Sequence, residues 1–168
     1  MRAKEPFVVV CGEVEAKFSR VADIIELTND LVFIIPDFDI KITLKKGFRS
    51  DGASLPRSLW RCIGHPFFHS YLLAALLHDA LYQTELLPRR LADMIFRRFM
   101  AQLARDENRR CWLAATTKLG KARTWIKGRW RLARPWIMWV GVRLGGGFVW
   151  RVHTAAGKAA SRELVAVS

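Results

Sequence analysis

The sequence predicts an α+β fold, with a small N-terminal antiparallel sheet packed on two or three helices and a basic, tryptophan-rich C-terminal extension. Three observations support this prediction. Short β-branched runs fill the first 50 residues, two long apolar segments with helical spacing follow between 67 and 105, and positive charge and tryptophan accumulate after residue 105. Runs of strands followed by runs of helices are typical of α+β domains.

The N-terminal strands are predicted from β-branched composition and from turn residues between the runs. In the last run Ile42 and Leu44 alternate with polar residues, as in a half-buried antiparallel strand. Asn29 and Pro36 supply turn chemistry between neighbouring runs. We expect one small meander that ends at Phe48, with strands over 7–10, 23–27, 31–35 and 40–44.

The middle of the chain predicts helices. Pro56 favours the start of a short helix over 56–63. Residues 67–84 are apolar on nearly every side, which predicts a buried central helix. A second long helix is expected over 86–105, with Asp93 at the border of its apolar face and Arg97 and Arg98 turned outward. Its predicted core face comprises Leu91, Ala92, Ile95, Phe96, Phe99 and Leu103.

In the C-terminal third, the sequence pattern is consistent with more than one arrangement of secondary structure. Residues 109–120 favour another helix ending at Gly120. Two interpretations are open for 136–153, namely a helix interrupted by glycines or a hairpin that turns at 145–147. After Thr154 we expect a frayed helix or a disordered tail.

Charge divides the chain into two regions. Residues 1–104 carry 14 Lys/Arg against 12 Asp/Glu, whereas residues 105–168 carry 14 against 3 and six of the seven tryptophans. We therefore expect a body at 1–104 and a C-terminal region at 105–168 that acts as a docking arm. Three scattered cysteines without a CxxC spacing argue against a disulfide scaffold or a zinc ribbon. The pattern predicts neither a secretory signal nor a transmembrane span.

Three motifs occur in order: "GFRSDGASLPRSLW" at 47–60, "HDALY" at 78–82 and "RRLADMIF" at 89–96. Together they resemble the DUF1353 family, which is known mostly from bacteriophages and prophages and has no assigned function. The resemblance covers roughly residues 26–104. It implies a viral or prophage origin, location in the host cytoplasm or the virion, and a shared site. The motif positions are Asp51, Gly52, Ser54, Pro56, His78, Asp79, Tyr82 and Asp93.

The residue types at these positions suggest a polar cluster. His78 and Asp79 lie within an apolar helix, where an unpaired charge is costly, so they need partners. Asp51 and Asp93 are the natural partners, and we expect Asp51 to contact the 78–79 segment. One interpretation is a structural network that joins a loop to a helix.

The other interpretations of the cluster are chemical. Asp51, His78, Asp79 and Asp93 are suitable ligands for a divalent metal such as zinc or manganese. The same groups suit general acid–base catalysis. Asp51, Ser54 and His78 form a weaker candidate for a nucleophile system, because no nucleophile elbow is present.

The C-terminal region predicts a binding surface. The residues expected to carry it are Trp125, Lys127, Arg129, Trp130, Arg131 and Arg134. Another phage or host protein is the favoured partner, because Trp and Arg are frequent interface anchors. An anionic membrane surface and nucleic acid are the alternatives.

Two functions follow from these patterns. The first is a phage accessory or virion-associated protein, whose polar network is structural and whose C-terminal region docks on a partner. The alternative is a small metal-dependent or acid–base hydrolase that acts on cell wall or nucleic acid. The sequence favours the first function, because the motifs do not supply a complete catalytic set. The sequence leaves open whether the protein is an enzyme.

Overall fold

The computed structural model describes residues 6–19, 24–50, 71–152 and 155–168. Within these ranges the chain forms two antiparallel sheets and four α-helices, which confirms the predicted α+β class. The strands are β1 (Val9–Cys11), β2 (Ala16–Ser19), β3 (Ile24–Leu27), β4 (Leu31–Ile35), β5 (Ile40–Leu44), β6 (Arg49–Ser50) and β7 (Val165–Val167). The helices are α1 (Leu72–Thr84), α2 (Arg89–Ala114), α3 (Lys118–Val152) and α4 (Ala155–Leu164), and a single 3-10 turn (Pro36–Phe38) joins β4 to β5.

The predicted single meander is wrong, because the strands divide between two sheets. One sheet has the order β1-β4-β5-β7 and the other has the order β2-β3-β6. The chain leaves the first sheet after β5 at Gly47, whose φ of 88° suits a residue without a Cβ. The Gly47 amide then donates to the carbonyl of Leu27, and the amide of Leu27 donates to the carbonyl of Phe48. These bonds place β6 beside β3.

The core lies between the four-stranded sheet and helices α1 and α2. Alternate residues of β4 and β5 are buried, and Phe33 packs edge-on against Phe99 of α2 with ring centroids 6.1 Å apart. The Gln102 side chain both donates to and accepts from the Val8 backbone, at 2.8 and 2.9 Å. Helix α1 is buried along almost its whole length, as expected from its apolar character on every side.

Helix α2 confirms the predicted core face and is longer than expected. Ala92, Ile95, Phe96, Phe99 and Leu103 are buried, and Leu91 packs against them. The helix continues nine residues beyond the predicted end at 105, to Ala114, so it crosses the expected boundary at 104.

The C-terminal segments differ from their predictions in three places. The helix predicted over 109–120 is not one element, because residues 109–114 belong to α2 and α3 begins at Lys118 and continues through Gly120. Helix α3 is continuous through Val152, which excludes the hairpin interpretation for 136–152. The tail is neither frayed nor disordered: α4 is followed by β7, which pairs with β5 through Leu44 opposite Val165. Val165 is buried, and the Ser168 and Lys41 backbones exchange two hydrogen bonds. Tertiary burial of one apolar side chain and sheet pairing therefore stabilise a strand that local composition does not indicate.

The expected division into a body at 1–104 and a separable C-terminal region stays a prediction. Met138 and Val142 of α3 and Val165 of β7 are part of the same buried core as α1 and α2. The short helix predicted over 56–63 and the first residues of the helix predicted over 67–84 lie outside the described residues. Among the residues with described positions, no helix combines the length and the apolarity needed to span a bilayer.

Truncation after Leu164 tests the role of β7. Loss of the buried Val165 side chain and of the β5–β7 hydrogen bonds should lower the free energy of unfolding by at least about 2 kcal/mol. The measurement is a urea titration followed by circular dichroism. Ala166→Ser, at an exposed position of the same strand, should change the free energy of unfolding by less than about 0.5 kcal/mol. An unchanged unfolding midpoint for the truncated chain would contradict this role.

Candidate functional site

The site is built on the two central helices. His78, Asp79 and Tyr82 belong to α1, and His78 and Tyr82 are four residues apart, so their side chains share one face. Asp93 belongs to the first turns of α2, which returns alongside α1. All four side chains are buried, and Asp93 is only 1% exposed. A carboxylate at this depth needs several hydrogen-bond donors to remain charged.

Asp93 receives these donors from three helices. Its Oδ1 accepts the Tyr82 hydroxyl at 2.5 Å and lies 3.4 Å from His78 Nε2. Its Oδ2 accepts a hydrogen bond from the Arg143 guanidinium of α3 at 3.0 Å, and the same oxygen lies 3.8 Å from Arg89 Nε. Burial raises the pKa of Asp93, but hydrogen bonds from His78, Tyr82 and Arg143 outweigh it and hold this pKa below its usual value. Asp93 is therefore ionised near neutral pH.

Arg89 connects Asp93 to the backbone of α3. Its guanidinium donates to the Tyr82 hydroxyl oxygen at 3.2 Å and to the Arg143 carbonyl at 2.9 Å. The Arg143 side chain meanwhile reaches back to Asp93. The two arginines thus tie α3 to the buried carboxylate through both side chain and main chain.

His78 is held as a neutral imidazole. Its ring is completely buried between Tyr82 and Phe96, with ring centroids 4.1 and 4.6 Å away. Burial lowers the pKa of His78, and the hydrogen bond to Asp93 only partly opposes this effect. Since Nε2 faces an ionised carboxylate, Nε2 carries the proton and Nδ1 is left as an acceptor. Nδ1 has no hydrogen-bond partner among the described residues.

Asp79 belongs to a second, separate contact. Its Oδ2 accepts the hydroxyl of Ser50, which is buried at the end of β6. Two acids of the predicted cluster thus lie in different environments: Asp93, on α2, contacts side chains of α1 and α3, whereas Asp79 contacts the three-stranded sheet. Ser50 directly precedes Asp51 in the sequence.

The structure brings together only part of the predicted site. His78, Tyr82 and Asp93 form one cluster, and Asp79 lies beside it on α1. Asp51 and Ser54 lie outside the described residues, so the expected contact between Asp51 and the 78–79 segment stays a prediction. Within the described ranges, no three acidic, histidine or cysteine side chains converge as a metal site would require. The metal site of His78, Asp79, Asp51 and Asp93 likewise stays a prediction.

Three residues that take part in the hydrogen bonds and ion pairs of the site were not predicted from the sequence. Ser50 stands out in the sequence only as part of a motif, and Arg89 precedes Asp93 by four residues, a helical spacing that indicates an ion pair. No sequence signal indicates Arg143, which is 50 residues from Asp93 and reaches it only through packing of α3 on α2.

The residues predicted to bind a partner fall into two groups. Trp125, Lys127, Arg129 and Trp130 are exposed on α3. Arg131 instead forms an ion pair with Glu107 at 2.9 Å and donates to Asn108. Arg134 is half-buried beside Tyr71. The exposed surface of α3 is therefore less basic and more apolar than the sequence indicates.

Comparison with known proteins identifies the family. A family model described as "Protein of unknown function (DUF1353)" matches residues 25–115, more than half of the chain. The chain belongs to this family, as its motifs predict. The uncharacterized protein y4jT of Sinorhizobium fredii (strain NBRC 101917 / NGR234) is 40% identical over 60 residues. That match covers 36% of this chain and 18% of the relative, and no solved structure matches this chain.

The lowered pKa of His78 predicts a loss of stability on acidification. Below about pH 6.5, the ordinary pKa of histidine, the unfolded chain takes up a proton at this position, whereas the folded chain does not until lower pH. Stability should therefore fall as pH decreases below about 6.5. Asp93 should add a further loss below the ordinary aspartate pKa of 3.8. Among the residues whose positions are described, Arg89, Asp93 and Tyr82 are the charged or titratable groups that act on the ring.

Melting temperatures between pH 7.5 and 4.5 measure this effect. His78→Gln retains an amide that can donate to Asp93 but does not titrate, so its melting temperature should fall less between pH 7 and 5. Arg90→Gln, an exposed neighbour of Arg89 on α2, should follow the wild type. Equal pH dependence in the wild type and His78→Gln would contradict the assignment of His78 as a buried neutral base.

Proposed function

We propose that this protein is a small acid–base hydrolase in which His78 activates a water molecule and Asp93 positions the imidazole. The observation that carries the proposal is the unequal use of the two ring nitrogens. Nε2 is engaged by a buried, ionised carboxylate, while Nδ1 has no hydrogen-bond partner among the described residues. A neutral imidazole fixed in this tautomer has the properties of a general base.

The proposed chemistry uses each member of the cluster. His78 Nδ1 takes a proton from water as the oxygen attacks an electrophilic carbonyl or phosphoryl centre. The imidazolium that forms is stabilised by Asp93, and it later returns the proton to the leaving group. Tyr82, Arg143 and Arg89 lower the basicity of Asp93, so the carboxylate stays charged and does not take the proton itself.

Packing against aromatic rings supports this role. The contact between His78 Nε2 and Asp93 Oδ1, at 3.4 Å, is longer than an optimal N–H···O bond. A single long bond would fix the ring poorly. Tyr82 and Phe96 enclose the imidazole, so the ring orientation depends on packing as well as on the carboxylate.

The positive net charge of the chain supports an anionic substrate. The chain has a formal net charge of +13, which attracts anionic polymers and surfaces. Cell-wall polymers and nucleic acids are the favoured substrates. Asp51 and Ser54, which follow Ser50 along the chain, are proposed to complete the site.

An accessory role in a phage or prophage is the second candidate. The observation that favours it is the complete burial of the His78 ring, together with the saturation of Asp93 by donors. In this alternative the network only joins α1, α2 and α3, and the exposed part of α3 binds a phage or host protein. This second candidate function implies that the protein is located in the host cytoplasm or in the virion.

The purified full-length protein should hydrolyse one member of a substrate panel. The panel is insoluble peptidoglycan, single- and double-stranded nucleic acid, and phosphatidylglycerol vesicles, each tested with and without EDTA. His78→Gln and Asp93→Asn should lower kcat/KM by about 100-fold or more, since a positioned general base contributes 10²–10⁴ in rate. The wild-type rate should rise with pH and level off near neutrality.

Two controls separate catalysis from folding. Arg90→Gln should retain the wild-type rate, and circular dichroism should show that each variant is folded. Hydrolysis that persists in folded His78→Gln would contradict the role of His78. No hydrolysis of any panel member by the folded wild type would favour the accessory role, and EDTA-sensitive hydrolysis would favour the predicted metal site.

A further inference from the structure

The solvent-facing side of α3 is apolar over most of the helix. Exposed apolar side chains occur along this side from one end of the described side chains to the other, and the terminal two, Leu119 and Leu144, are 81% and 82% exposed. We call this surface the α3 outer face. It comprises Leu119, Ile126, Trp130, Val140 and Leu144, whereas the ring of Trp136 lies against Arg97 of α2.

The opposite side of α3 already supplies the contact with the body. Pro135, Met138 and Val142 are buried at spacings of three and four residues. α3 is therefore apolar on two sides, of which only one is covered in the described chain. A contiguous apolar strip that is left exposed along a helix indicates a binding site.

Positive charge flanks the outer face. Helix α3 contains nine Lys/Arg and no Asp/Glu. Arg131 and Arg143 are paired with acids of α2, but Lys121, Arg123, Lys127 and Arg129 are exposed on α3. Arg129 lies over the ring of Trp125, 5.4 Å from its centre. The outer face thus presents aliphatic and tryptophan side chains with cations beside them.

We propose that the α3 outer face lies in the interfacial layer of an anionic phospholipid membrane. Its apolar side chains enter the boundary between headgroups and acyl chains, and the flanking lysines and arginines contact lipid phosphates. A cationic flank beside an apolar, tryptophan-bearing face is the pattern of interfacial helices. From Leu119 to Leu144 the strip is about 38 Å long at 1.5 Å per residue.

Nucleic acid and a second copy of the chain fit the outer face less well. Phosphates of a nucleic acid gain nothing from Leu119, Ile126, Val140 or Leu144, which neither donate hydrogen bonds nor stack on bases. A second copy of the chain also carries a net charge of +13, so self-association brings like charges together. An extended aliphatic strip flanked by cations is complementary to anionic lipid in both its apolar and its charged parts.

Vesicle binding by the full-length protein tests the proposal. The probes are sedimentable vesicles of phosphatidylcholine alone and of phosphatidylcholine with about 30% phosphatidylglycerol, a mixture that gives the negative surface potential of anionic membranes. Binding should require phosphatidylglycerol, weaken as salt rises, and shift tryptophan emission to the blue.

Two sets of variants separate the apolar and the charged contributions. The double variant Ile126→Ser with Leu144→Ser keeps the charge and should weaken binding at least about tenfold. Replacement of Arg123, Lys127 and Arg129 by Gln should weaken binding to anionic vesicles by a similar factor. Leu86→Ser, an exposed apolar residue on the connection between α1 and α2, is the matched control and should bind as the wild type does. Circular dichroism confirms folding of each variant.

Several outcomes would overturn the proposal. The first is no binding of the wild type to anionic vesicles at low salt. The second is binding that the Ile126→Ser, Leu144→Ser variant retains in full. A dimer in light scattering that this variant abolishes, without vesicle binding, would instead assign the outer face to self-association. Binding to DNA without binding to vesicles would assign the basic flank to nucleic acid.

Discussion

One buried carboxylate organises this molecule. Asp93 lies on α2 with almost no exposure, and it remains charged because donors from three helices reach it. Removing a charge from water is costly unless hydrogen-bond donors replace the lost hydration. The donors of Asp93 must therefore lie close to its carboxylate. Tyr82 and His78 set the position of α1, and Arg143, with the main-chain contacts of Arg89, sets the position of α3. The arrangement of the three helices and the geometry of the candidate site therefore have a common cause.

The same contacts link the buried site to the surface. The helix that supplies Arg143 to Asp93 on its inner side exposes tryptophans and aliphatic residues on its outer side. A change in the position of α3 would alter both the donors around Asp93 and the accessible apolar face. If the outer face binds lipid, the distance from the membrane to His78 is set by the thickness of α3 and not by a flexible connection. The proposed lipid-binding face and the candidate site then belong to the same packed group of helices.

Sequence patterns predicted the parts of this molecule that depend on neighbours along the chain. The α+β class, the core face of α2 and the strands β4 and β5 follow from local periodicity, and the motif positions His78, Tyr82 and Asp93 do converge. Contacts over long separations were missed. Val165 forms a strand only because β5 offers an unpaired edge, and Arg143 reaches Asp93 only because α3 packs on α2. The glycines at 145–147 suggested a turn, but α3 continues through them.

The tautomer and the pKa of His78 test the central claim most directly, because both depend on Asp93 and neither requires a substrate. Long-range ¹H–¹⁵N spectra of the ¹⁵N-labelled protein distinguish a protonated Nε2 from a protonated Nδ1. We expect one neutral histidine with the proton on Nε2 and a pKa below the ordinary histidine value of 6.5, and we expect His78→Gln to remove that signal. A histidine at position 78 with the proton on Nδ1, or one that titrates above about 6.5, would contradict the account.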